Sequence, residues 1–98
     1  MARIAVAPEA VAALDRLIVS HSLPADARDR FRRSIEPLET FPRLGRELEG
    51  IGFEGLRFVL GPWRWMVVVY EYDEAADVVG VLTVQDARSP TAATSRRA

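Results

Sequence analysis

The run Trp65-Met66-Val67-Val68-Val69-Tyr70 is six apolar residues long and half valine. It is too short for a long core helix and far below the roughly 20 residues that span a bilayer. Its β-branched and aromatic side chains favour a strand. A strand without polar alternation is covered on both faces, so Arg64 to Tyr72 is expected to be the central strand of a sheet. Everything else in the chain must then supply neighbours for this strand and a layer to cover it.

The segments on either side read accordingly. Arg3-Ile4-Ala5-Val6 is short and alternating, a strand. Pro8-Glu9 suits a helix first turn, and Val11, Leu14, Leu17 and Ile18 recur at helical spacing, predicting a helix from about Pro8 to Ser20. Pro24 opens a second helix carrying Ala27, Phe31, Ile35, Leu38 and Phe41 on one face, with Pro37 ending its first part. Pro42 to Gly50 reads as a loop. Leu56 to Leu60 alternates as a strand, Gly61-Pro62 marks a turn, Asp73 to Asp77 is an acidic loop, and Val78 to Val84 is the last strand. The fold class is therefore α+β, a single domain of order β-α-α-β-β-β. A helical hairpin covers one face of an antiparallel sheet and leaves the other partly open. Ser89 to Ala98 has no apolar periodicity, so the domain is expected over residues 1–88 with a mobile tail at 89–98.

With 98 residues there is room for one core and no second domain. The absence of cysteine excludes disulfides and thiolate metal sites. A single histidine, His21, makes no metal cluster, and its place at a helix end suits a capping role. Glu71, Asp73, Glu74 and Asp77 lack the residue order of a calcium loop. Gly50 to Gly55 lacks the strand and helix that flank a phosphate loop. Ser34, Ser89 and Thr91 have no His or Asp constellation beside them. No metal or other cofactor is expected. Met1-Ala2-Arg3-Ile4 lacks the apolar segment of a secretory signal, so a cytoplasmic location is expected.

The basic residues carry the functional signal. All 13 are arginine, yet the net charge is −1, which argues against a broad nucleic-acid-coating surface and leaves room for a local cluster. A hairpin about Gly61-Pro62 with a short even loop pairs residues whose numbers sum to an odd value. Arg57 and Val59 then share a face with Arg64 and Met66, with Arg57 and Arg64 diagonal. The same register sends Leu56, Phe58, Leu60, Trp65, Val67 and Val69 to the face expected under the helices. Arg88 joins the arginine face after a five-residue acidic loop, or after a four-residue loop compensated by a bulge. Three converging arginines would clamp a phosphate. Trp65 is expected in the core. Trp63 either packs the turn or offers a stacking platform for a nucleic-acid base.

The element order, together with Phe41-Pro42-Arg43-Leu44-Gly45-Arg46, Gly61-Pro62-Trp63-Arg64, Val69-Tyr70-Glu71-Tyr72-Asp73 and Val84-Gln85-Asp86-Ala87-Arg88, resembles the RelE/ParE family of toxins from bacterial type II toxin–antitoxin systems. The resemblance spans about Arg3 to Arg88. It implies a toxin neutralised by a cognate antitoxin protein. It implies one of two targets: messenger RNA cleaved on the ribosome, as in the RelE branch, or DNA gyrase, as in the ParE branch. A catalytically inactive antitoxin-binding homologue is the third possibility. In the RelE branch sheet cations take part in cleavage. Arg57 stands at a position usually lysine there, Arg64 matches the arginine after the hairpin turn, and Arg88 matches the arginine after the last strand. Gly55 replaces a second lysine of that branch, and no tyrosine follows Tyr72.

Overall fold

The computed structural model describes residues 1–89 and 92–94. Strand β1 (Arg3–Val6) leads into helix α1 (Pro8–Ser20) and helix α2 (Ala27–Ile35). A 3-10 turn at Glu36–Glu39 follows, then strands β2 (Arg46–Glu47), β3 (Leu56–Leu60), β4 (Met66–Asp73) and β5 (Val78–Asp86). Proline sits in the first turn of α1, where its missing N–H costs nothing. Pro37 falls in the 3-10 turn, just after α2 stops, because a proline ring cannot be accommodated in a continuing helix. Helix α1 closes with a Schellman arrangement: Leu23 N–H donates to Ile18 O, Ser22 N–H donates to Val19 O, and Ser22 takes a φ of 50°. Among the described residues no helix is long and apolar enough to cross a membrane.

The α+β class and the β-α-α-β-β-β core hold, with two additions. The sheet has five strands in the order β1-β5-β4-β3-β2. It is mixed, because β1 pairs with β5 in parallel while the other pairs are antiparallel. The whole chain intervenes between β1 and β5, so no tight turn dictates their direction. The extra strand, Arg46–Glu47, lies in the segment expected to be a loop. It is two residues long and draws its order from β3, beyond the reach of a local pattern.

Strand β4 is the centre of the sheet, and Met66 through Tyr70 are all buried. The helices cover the face bearing Met66, Val68, Tyr70, Val79, Val81 and Val84, against Ala10, Ala13, Leu14, Phe31, Ile35 and Leu38. Hairpin parity is as expected, with Val59 opposite Val68 and Arg57 opposite Tyr70. The covered face is the reverse of the expected one. Leu56, Phe58, Leu60, Val67 and Val69 lie on the side away from the helices, where Leu60 is 51% exposed. Both faces of this hairpin are apolar, and Arg57 sits on the covered side because backbone carbonyls receive its guanidinium there.

Those carbonyls belong to a segment pinned by one buried hydroxyl. Tyr70 Oη donates to Pro42 O and accepts from Gly45 N–H, each at 2.8 Å. Gly45 lies so close that a Cβ would stand 2.6 Å from Phe58 O and 2.7 Å from the Tyr70 ring, so only glycine fits. Burial pushes the Tyr70 phenol above its ordinary value, against smaller opposing effects of the Gly45 N–H and Arg57.

The expectation of a mobile tail falls partly on residues 90, 91 and 95–98, outside the described residues. Of those described, Ala92 is buried and Ala93 N–H donates to Gln85 Oε1 at 2.7 Å.

Candidate functional site

The predicted site residues occupy two places. Arg57 lies in mid-sheet. Its guanidinium donates to Gly45 O at 2.8 Å and Arg43 O at 3.3 Å, and to Glu47 Oε2 at 3.2 Å. Its cross-strand partner Tyr70 is four positions along β4 from Met66, so Arg57 stands roughly 13 Å from the strand end that leads to Arg64. Arg57 and Arg64 are therefore not diagonal neighbours.

Arg64 and Arg88 lie at the same end of the sheet, just before β4 and just after β5. The turn between β4 and β5 has four residues, since Asp73 pairs with Val78. That alone would set Arg64 opposite Ala87. A bulge skips Leu82: Val69 faces Thr83 while Tyr70 faces Val81. The register moves by one, Met66 faces Asp86, and Ala87 N–H donates to Trp65 O at 2.7 Å. The ladder ends at Met66 and Asp86; Arg64 lies in the turn closed by Met66 N–H donating to Trp63 O at 2.9 Å, and Arg88 in the turn after Asp86.

An aromatic layer fills the space around this pair. The Trp63 and Trp65 rings are 6.3 Å apart and nearly parallel at 23°. Arg30 from α2 lies 5.9 Å above Trp63, and Arg88 lies 5.3 Å above Trp65. Both indoles pack against the core, and both are partly exposed. Arg64, between them in sequence, is exposed and has no ion pair or hydrogen bond among the described residues.

Two residues join the site that the sequence reading did not place there. Asp86 holds Arg88 with both carboxylate oxygens, accepting from Nε at 3.0 Å and from the terminal nitrogen at 3.0 Å, and its Oδ1 also accepts from the Arg88 N–H. The Arg88 hydrogen bonds hold the Asp86 carboxyl below its ordinary value despite its burial, with a small contribution from His21. His21 is the Ccap residue of α1, and its backbone N–H, not its ring, bonds the last carbonyls. The ring instead stacks 4.2 Å from Trp65 and sets Nε2 3.2 Å from Asp86 Oδ2. The Asp86-x-Arg88 spacing was visible in the sequence. The meeting of a helix end with a strand end was not.

Two helices on one face of a five-stranded mixed sheet make the fold of the RelE/ParE toxins. The family model of ParE toxins of type II toxin–antitoxin systems, parDE, matches residues 4–90, so the chain belongs to that family. The fold is that of the solved RelE toxins. The Escherichia coli toxin in the intact RelBE toxin–antitoxin complex superposes with a TM-score of 0.63 at 15% identity, covering 91% of this chain and 100% of that one. The isolated E. coli RelE toxin gives 0.62 at 15% identity over 91% and 87%. The archaeal RelE–RelB complex of Pyrococcus horikoshii gives 0.52 at 23% identity over 90% and 98%. No curated protein matches the sequence significantly.

Proposed function

We propose that this toxin cleaves messenger RNA on the ribosome, with the RNA entering at the sheet end where Arg64 and Arg88 flank Trp63 and Trp65. The observation that carries this reading is the pairing of cations with part-exposed indoles in one place. Single-stranded nucleic acid needs both, since phosphates take the arginines and bases stack on the rings. Arg64 holds the scissile phosphate and Trp63 a neighbouring base. Arg88 stabilises the charge that develops on the phosphorane, held in place by Asp86. Arg57 supports the 42–47 segment and acts at a distance from the phosphate.

A cognate antitoxin neutralises the toxin by covering apolar surface. One suitable surface is the groove of about 240 Å³ between the helices, lined by Val6, Val11, Leu14, Phe31 and Ile35. The RelE relatives of this fold are seen in complexes with RelB antitoxins, which supports such a partner.

Controlled expression with mapping of transcript ends tests the activity. Growth arrest with cuts inside codons is expected, and both should vanish in a folded Arg64→Ala variant. Cuts that persist in the variant would refute the role of Arg64. The second reading, inhibition of DNA gyrase, is favoured by the ParE family match. Arrest with DNA damage and uncut transcripts would establish it instead.

A further inference from the structure

Resting on that ribonuclease reading, we infer that His21 is the general base that the arginines cannot be. Cleavage by the RNA's own 2′-hydroxyl needs a group that accepts a proton near neutrality, and guanidinium, with a pKa above about 12, does not. Histidine is the side chain suited to this by its ordinary chemistry.

The geometry places His21 for the task. Its Nε2 and the Arg88 terminal nitrogen approach the same oxygen, Asp86 Oδ2, at 3.2 and 3.0 Å. Imidazole and guanidinium therefore stand side by side. A carboxylate facing Nε2 favours the proton on that nitrogen and leaves the lone pair on Nδ1. Nδ1 has no hydrogen bond among the described residues, and the side chain is 27% exposed. The ring packs against Trp65 at 4.2 Å, tilted by 37°, and is fixed at its backbone by the helix cap. The charged groups around it are Asp86 and Arg88 from the end of β5, with Arg30 of α2 beyond Trp63. A carboxylate thus orients the ring, a ring nitrogen is left open, and a guanidinium stands beside it, an arrangement that suits a general base within reach of a hydroxyl on bound RNA.

In the step, Nδ1 takes the proton from the 2′-hydroxyl as O2′ attacks phosphorus. The O2′–P bond forms and the P–O5′ bond breaks. The departing O5′ takes a proton from water, the imidazolium returns its proton to the hydroxide so formed, and the products are a 2′,3′-cyclic phosphate and a 5′-hydroxyl end. Arg88 meets the added negative charge on the phosphorane oxygens.

The test uses the purified full chain with programmed ribosomes, comparing wild type, His21→Gln and His21→Ala. His21→Gln should lower the single-turnover cleavage rate by about 10²- to 10⁴-fold, the usual contribution of a general base. Added imidazole should restore part of the rate to His21→Ala, which a merely structural role for the ring would not allow. Wild-type rates in folded His21→Gln would overturn the inference and leave the ribonuclease reading standing. So would a lowered rate in folded variants with no imidazole rescue. Wild-type protein that cuts no transcript would overturn the ribonuclease reading and this inference with it.

Discussion

Replacing Tyr70 by phenylalanine removes one oxygen atom and tests how the 42–47 segment is held. The ring stays, and so does its packing in the centre of the core, where Tyr70 is 0% exposed. Two hydrogen bonds of 2.8 Å disappear. The Gly45 N–H is left buried with no partner, a loss of about 1–3 kcal/mol. Pro42 O is only part-buried and can turn toward water, so its loss is nearer the ordinary net value of about 0.5–1.5 kcal/mol. Together these predict a destabilisation of about 1.5–4.5 kcal/mol. For a domain of this size, that lowers Tm by roughly 6–36 °C. Urea unfolding followed by circular dichroism measures the change, and an unaltered m-value would show that the folded and unfolded ensembles are otherwise the same. A destabilisation below about 0.5 kcal/mol would refute the argument, because it would mean that water replaces the phenol at a site where a glycine Cβ has no room.

Two further outcomes follow from the same region and from the tyrosines. Arg57→Ala should destabilise the fold by about 1–2 kcal/mol, since it removes charge-assisted hydrogen bonds from a partly exposed group. Under conditions where the variant is folded, transcript cleavage should survive, and a folded but inactive Arg57→Ala would return Arg57 to the phosphate site. Alkaline stability is the other test. Both tyrosines are raised above their ordinary value, Tyr70 by burial and Tyr72 first by its hydrogen bond to Asp77. A raised phenol means that the folded state holds the proton more tightly than the unfolded chain. Its contribution is full below about pH 10, the unfolded value, and is lost as pH rises through the folded values. Thermal midpoints measured against pH should fall above that point in wild type and fall less steeply in a Tyr72→Phe variant.

Local chemistry was legible to the residue in several elements. Proline at the first turn and the apolar spacing bound α1 to Pro8–Ser20, as predicted. The unbroken Met66–Tyr70 run is the doubly covered strand that its composition demanded. What depended on distant partners was not legible. Arg46–Glu47 is a strand only because β3 is beside it. The covered face of the β3–β4 hairpin could not be chosen from pattern, since Val59, Val68 and Tyr70 on one side are as apolar as Phe58, Val67 and Val69 on the other. Arg57 biased the choice toward the wrong side. An arginine in a strand suggests solvent, and the carbonyls that accept its protons come from a segment more than ten residues away.

The bulge at Leu82 shows why the site was half legible. A four-residue turn between β4 and β5 would by itself have put Gln85 opposite Met66. One skipped residue shifts the register and brings Asp86 opposite Met66, in reach of both His21 and Arg88. Because side chains alternate along a strand, a shift of one residue turns every residue beyond it to the other face. The bulge lies mid-strand, away from any glycine or proline turn signal, with Val81 on one side and Thr83 on the other. Its physical reason lies in what it satisfies. Val79 and Val81 must face the helices before it, and Val84 must face them after it. Val79 and Val81 are two positions apart but Val81 and Val84 are three, so strict alternation is impossible and one residue has to be skipped. The same valine spacing that builds the core thus sets Asp86 opposite Met66, at the strand end where it meets His21 and Arg88.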